Sequence, residues 1–256
     1  MRNKNLKKHR LLAFPISRLF PNMVTIAGLC CGLSSIRLAI EGKFELAIIL
    51  LVAAAIIDGM DGRIARMLNS TSIFGAHLDS LSDFVCFGVS PALVLYLWKL
   101  NTIKGIGWAV VLFFAVCCAL RLARFNTNML DETIAAWQKK FFVGIPSPAG
   151  ALLALMPLVT TFYMETTIFA NASFCVLWLL LIGILMASRV PTFAVKRIII
   201  KHEWVLPIML FSGIAVVLML TEPWLMFNVV GILYFFTIPI SISVYRKLAK
   251  TNATIS

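Results

Sequence analysis

Residues 44–61 read FELAIILLVAAAIIDGMD. An unbroken apolar run from Leu46 to Ile57 leads directly into two carboxylates, Asp58 and Asp61. A segment of that hydropathy crosses lipid as a helix, because a helix satisfies its own backbone polar groups. Its acidic end is the anomaly. An ionisable group at membrane depth is costly, turns toward the bundle interior and marks function.

The whole chain shares this character. Its 256 residues are 61% hydrophobic and 13% charged, with a mean hydropathy of +0.94 and a pI near 9.8. A soluble domain is about 45–50% apolar and about 25% charged, and a soluble fold of this size could not hide so much apolar surface. A cytosolic enzyme, a disordered chain and a nucleic-acid-binding module are thereby excluded. Outward from 44–60, further apolar stretches lie at roughly 22–40, 80–98, 106–125, 147–164, 172–187, 204–220 and 224–244. The expectation is an all-α, polytopic transmembrane bundle of about eight spans. It forms one domain over residues 21–250, with the last two spans, from about residue 204, peripheral. Pro21, Pro91, Pro148, Pro191, Pro207 and Pro223 sit near the proposed helix ends, where proline is tolerated.

Charge placement supports that count. Eight spans put both termini on one side, and 19 of the 23 basic residues fall there, including Arg63, Arg66, Arg121, Arg124 and Arg189. Lys43, Lys99 and Lys104 face the other side. Positive residues stay cytoplasmic, so both termini and Asp58 are expected there, and the net charge of +12 orients the protein. Residues 1–20 mix basic groups with Leu11, Leu12, Phe14 and Leu19 and lack a cleavage signature. They read as a basic amphipathic helix on anionic headgroups or as a plain basic tail. Residues 189–201 are a second interfacial candidate. The six cysteines all fall in apolar spans with no C-x-x-C pair or Cys/His cluster, so they are expected to be packing residues rather than disulfides or zinc ligands.

Acids are scarce, eleven in all, and most fall in loops or at helix ends. Asp58, Asp61, Asp79 and Asp83 do not. Spacings of three and four place each pair on a single helix face, and the short connection makes the two helices antiparallel neighbours. Four converging carboxylates repel strongly unless a cation neutralises them. Their hard oxygens suit Mg²⁺ or Mn²⁺, and their charge suffices for two ions bridged by a phosphate. Gly62 and Ala65 are small and leave room for a ligand. Arg66, about 80° around the helix from Asp58, can reach a diphosphate with its planar fork. Gly75 keeps the next helix open at its entrance. Metal, arginine and open backbone describe phosphoryl transfer. The same carboxylates would also serve a proton relay or cation pathway in a transporter, or a salt-bridge network with Arg63 and Arg66.

Asp58-Gly-Met-Asp61-Gly62-Arg-Ile-Ala65-Arg66, eight residues, Gly75, three residues, Asp79, three residues and Asp83 resembles the signature of the CDP-alcohol phosphatidyltransferases, D-x2-D-G-x2-A-R-x8-G-x3-D-x3-D, at all eight fixed positions. The resemblance implies a divalent-metal enzyme that displaces CMP from a CDP-linked lipid with an alcohol. It implies that Asp58, Asp61, Asp79 and Asp83 hold the ions and that Asp83 also takes the proton from the acceptor hydroxyl. Gly62, Ala65 and Gly75 would make room for cytidine, and Arg66 would bind the diphosphate. Ser72, Asn22 and Thr25 are similar to positions that touch the CDP group. A homodimer is also implied.

Three segments outside the signature, Arg121-Leu-Ala-Arg124-Phe-Asn126, Gly144-Ile-Pro-Ser147-Pro148-Ala-Gly150 and Ser188-Arg189-Val-Pro-Thr192, resemble the bacterial integral-membrane phosphatidylserine synthases. That implies CDP-diacylglycerol and L-serine as substrates, in a bacterial inner membrane. Arg121 and Arg124 are candidates for the serine carboxylate, which arginine grips in a bidentate manner. They are equally explained as positive-inside anchors whose side chains snorkel to lipid phosphates. Asn126 and Ser147 are further acceptor-site candidates. Glycerol phosphate, inositol phosphate or choline as acceptor would use the same chemistry.

Overall fold

The computed structural model describes residues 16–68, 72–129, 141–164, 168–193 and 204–253. The helices are α1 (Ile16–Ile40), α2 (Phe44–Met67), α3 (Ile73–Asp83), α4 (Ser90–Trp98), α5 (Gly105–Met129), α6 (Ser147–Tyr163), α7 (Ala172–Ala187), α8 (Val205–Thr221) and α9 (Pro223–Ala253). A π-helical segment, Phe84–Val89, joins α3 to α4, so residues 73–98 form one continuous rod. Each of the eight apolar stretches read from the sequence therefore lies on a helical rod. Most of residues 1–20, Lys139, Lys140 and the stretch from Ala194 to Lys201 lie outside the described residues, as do the two interfacial readings placed on them.

Four of the described rods are long and apolar enough to cross a membrane: Phe20–Ile40, Ile73–Trp98, Gly105–Thr127 and Pro223–Leu248. Ser147–Tyr163, Ala172–Ala187 and Leu206–Thr221 are apolar but shorter, and a 17-residue helix measures about 25 Å against a hydrocarbon core of about 30 Å. The acidic rod differs from its sequence reading. It begins at Ile73 rather than near residue 80, because Ser72 caps it: the Ser72 hydroxyl accepts the Gly75 N–H at 2.9 Å. Asp79 and Asp83 thus sit inside the rod, and the π segment follows directly. Pro91, which has no N–H to donate, lies just beyond that segment, where the ladder is already rearranged. Pro21 also falls inside its helix, since α1 begins at Ile16. A small antiparallel pairing adds to the helical plan: β1 (Phe141–Val143) pairs with β2 (Pro191–Phe193), Val143 opposite Pro191. Pro191 is therefore a strand residue. Gly144, with φ +79°, leaves β1 in the left-handed region, and a Cβ there would come within 2.6 Å of the Met186 carbonyl oxygen, so glycine alone fits.

The centre of the bundle is formed by α4, α5, α6 and α7, around Leu95, Phe114, Leu155, Leu179 and Ile182, all fully buried. The Trp178 indole N–H donates to the Leu153 carbonyl at 2.8 Å, tying α7 to α6. α9 packs on α6 and β2, whereas α8 packs against α9 and exposes Leu206, Met209 and Phe211.

α1 is held to the acidic rod by a different device. Ser82, Cys86 and Ser90, four residues apart, donate to the carbonyls of Thr25 (3.4 Å), Gly28 (3.4 Å) and Gly32 (3.0 Å). Glycines on α1 let the backbones approach closely enough for this ladder, as small residues do between membrane helices. A Cβ on Gly32 would lie 3.1 Å from the Cys86 Cα, and that backbone cannot yield. Gly32→Val is therefore expected to lower stability by about 1–3 kcal/mol, read as a lower Tm in detergent. An unchanged Tm would mean that this contact does not set the packing.

Candidate active site

The four signature carboxylates come together although they arise from two rods. α2 delivers Asp58 and Asp61 one turn apart, and α3 delivers Asp79 and Asp83 one turn apart. α1 packs against both rods and sets their relative position through the ladder. One oxygen each of Asp58, Asp61 and Asp79 lies within 4.8 Å of the others. The Asp83 carboxyl lies in hydrogen-bonding reach of Asp58. Asp61 is buried, at 5% exposure, and the other three are half-buried.

Opposing donors are few. The Thr25 hydroxyl donates to Asp61 Oδ2 at 2.7 Å. Asp79 Oδ1 is buried with no hydrogen-bond partner. Neither Arg63 nor Arg66 pairs with the aspartates, and both are exposed, so the salt-bridge reading fails. Three clustered carboxylate oxygens, with a buried and unpartnered oxygen on Asp79, fit a hard divalent cation. The donor chemistry is right, and the orphan is what such an ion would satisfy.

The smaller signature residues are also placed. Gly62 faces open space, whereas a Cβ on Gly75 would meet Asn22 Oδ1 at 3.0 Å and the Ser72 Oγ at 3.1 Å. Asn22, Ser72 and Gly75 thus gather at the entrance of α3. The Ala65 side chain lies outside those described. Ser82 and Cys86, which the sequence reading did not single out, line the narrow cleft beside Asp58, Asp61 and Asp83. Their spacing of four from each other, and of three from Asp79 and Asp83, was the available signal.

The acceptor candidates separate. Arg121 of α5 is 8% exposed and lies within electrostatic reach of Asp58 and Asp83. It donates through Nη1 to the Ser147 hydroxyl, and Ser147 is fully buried. Among the described residues, Arg121 is the basic residue that faces the cluster. Arg124 is committed elsewhere: its Nη1 donates to the Ala187 carbonyl at 2.9 Å and the Ser188 carbonyl at 3.2 Å. Those oxygens end α7, where the last carbonyls have no intrahelical partner and a cation is favoured. The Asn126 amide donates to Ser80 Oγ at 3.0 Å, which bridges α5 to the turn between Asp79 and Asp83. Tyr234 of α9 lies within electrostatic reach of Arg121. A lone tyrosine in an apolar span was its only mark in the sequence.

Residues 18–182 match the sequence profile of the CDP-alcohol phosphatidyltransferases, and residues 203–239 match a second profile, CDP-alcohol phosphatidyltransferase 2. The chain belongs to the CDP-alcohol phosphatidyltransferase family, whose members are membrane-bound enzymes and generally depend on divalent metal. It is 37% identical over 232 residues to a CDP-diacylglycerol–serine O-phosphatidyltransferase of Mycobacterium leprae, covering 91% of this chain and 77% of that protein. It is 35% identical over 209 residues to the protein of that name from Helicobacter pylori, covering 80% and 83%. An archaetidylserine synthase of Methanothermobacter thermautotrophicus is 33% identical over 147 residues, covering 57% and 60%.

The partners of Arg124 make a direct prediction. Removing a half-buried guanidinium from two carbonyls costs about 1.5–3 kcal/mol, so Arg124→Ala should lower the Tm. Its KM for the acceptor alcohol should stay within about twofold of the wild-type value, against a rise of about tenfold or more if Arg124 held a charged group of the acceptor.

Proposed function

We propose that this protein transfers the phosphatidyl group of CDP-diacylglycerol to L-serine, giving phosphatidylserine and CMP. The observation that carries the reading is the convergence of all four signature carboxylates beside a buried arginine. The names of the relatives support serine as the acceptor.

Asp58, Asp61, Asp79 and Asp83 would hold the metal, Mg²⁺ or Mn²⁺ and two ions by charge. When bound it supplies Lewis-acid neutralisation of charge on the diphosphate and the departing CMP. Arg66, exposed at the end of α2, binds the diphosphate. Gly62, Ala65, Gly75, Asn22, Ser72 and Thr25 form the cytidine side; Ser72 also caps α3, and Thr25 orients Asp61. Asp83 accepts the proton of the serine hydroxyl as that oxygen attacks the phosphorus bearing diacylglycerol. The bond from that phosphorus to the CMP oxygen breaks, and CMP leaves with the electron pair. Arg121 receives the serine carboxylate, held in place by Ser147.

The protein crosses a bacterial inner membrane eight times in this reading, with α2 and the shorter apolar helices completing the count. Both termini and the site face the cytoplasm, a placement supported by the bias of basic residues. Residues 1–20 lie on the membrane surface, residues 21–250 form the single catalytic domain, and the enzyme works as a homodimer.

Purified protein with CDP-diacylglycerol, Mg²⁺ or Mn²⁺ and a panel of alcohols should release CMP with serine. Release with glycerol phosphate, inositol phosphate or choline instead would reassign the acceptor. No release with any alcohol would return the cluster to ion transport. Asp83→Asn should abolish serine-dependent CMP release while retaining CDP-diacylglycerol binding, and wild-type turnover would refute its role as base. Arg121→Ala should raise the serine KM at least about tenfold, the loss of one charge-assisted bond, with little change in the lipid KM.

A further inference from the structure

We infer that Tyr234, on the last helix, completes the acceptor pocket by donating its hydroxyl to the same carboxylate that Arg121 holds. The inference rests on the serine-transfer reading above and extends it to α9, which lies beyond residues 18–182 of the first profile and partly within residues 203–239 of the second.

Two buried donors carry it. Arg121 spends Nη1 on Ser147, but its Nε is buried with no hydrogen-bond partner. The Tyr234 hydroxyl is likewise buried and unpartnered, and it lies within electrostatic reach of Arg121. It approaches Thr192 of β2, whose own hydroxyl is committed to the Gly144 carbonyl at 2.8 Å. An orphaned N–H of a guanidinium, in a side chain more than nine-tenths buried, is costly unless something fills it. Both unfilled groups can donate and one belongs to a cation, so the missing partner is an anionic acceptor of hydrogen bonds. Arg121 also interacts with Asp83 and Asp58, which brings this anion into the reacting layer.

The serine carboxylate fits that description. So does a diphosphate oxygen of the lipid, and kinetics separates the two. The Tyr234 ring borders an apolar groove between α2, α6 and α9, so its ring is satisfied by packing and only the hydroxyl lacks a role. α9 is then part of the site, held to it by Thr160 Oγ1 donating to Asn228 Oδ1 at 2.9 Å and by the buried Ile238.

Tyr234→Phe removes one oxygen and keeps the ring, so the Tm should not move. CMP release at saturating CDP-diacylglycerol and metal should show a serine KM raised about ten- to a hundredfold, the loss of one hydrogen bond to a charged group. The KM for CDP-diacylglycerol should be unchanged. The preference for serine over serinol, the same acceptor without its carboxylate, should fall by a similar factor. An unchanged serine KM and an unchanged serine-to-serinol preference in an active variant would overturn the role of Tyr234, as would a rise confined to the lipid KM. Absence of serine-dependent CMP release from the wild-type protein would instead overturn the serine-transfer reading, and this inference with it.

Discussion

Three carboxylates lie within 4.8 Å of one another, with Asp83 in reach of Asp58, inside a helical bundle built almost wholly from apolar residues, and the fold turns on how those buried charges are held. Charges packed this closely in a medium of low dielectric are not stable by themselves. Among the described residues one hydroxyl, that of Thr25, donates directly to the set, and one buried oxygen of Asp79 is left without a partner. The donor set therefore suits a cation from outside the chain better than internal neutrality. Fold stability has to come from elsewhere.

It comes from two sources on opposite sides of the cluster. On one side α1 is bonded to the acidic rod through hydroxyl and thiol donors that reach helix carbonyls across a glycine-lined contact. Such bonds let two membrane helices approach without large apolar side chains between them, which brings Thr25 to Asp61. On the other side the α4–α7 core buries Phe114, Leu155, Leu179 and Ile182 and fixes α5, whose last turns carry Arg121. The same arginine-rich turn illustrates a division of labour. Arg121 faces Asp58 and Asp83, while Arg124, three residues on, ends α7. Residues at a spacing of three would share a face on an isolated helix, yet long flexible side chains and different neighbours send these two to different tasks.

The departures from the sequence reading have physical reasons of the same kind. The acidic rod starts at Ile73 because a serine cap supplies the first acceptor, a signal present in Ser72 but read there as a ligand contact. The π segment after Asp83 has no hydropathy signature, since inserting one residue into a helical turn leaves composition untouched. The β1–β2 pairing joins segments some fifty residues apart, and three-residue strands are too short to show alternation. The span count is a matter of length: the shorter apolar helices have the right hydropathy but need the surrounding bilayer and neighbours to define a crossing.

Composition and local spacing alone determined that this chain is an apolar helical protein of membrane character and that Asp58, Asp61, Asp79 and Asp83 are its candidate site. Both properties are local, because hydropathy over about 20 residues selects the solvent and spacings of three or four select a helix face. Family membership followed from the same short signature and was upheld over residues 18–182. Among the described residues, the tertiary structure alone decided which basic residue faces the carboxylates, which arginine caps a helix, and which buried hydroxyl of α9 comes within electrostatic reach of Arg121. Those choices depend on contacts between residues 26 to more than 60 positions apart, and no periodicity along the chain encodes a meeting at that distance.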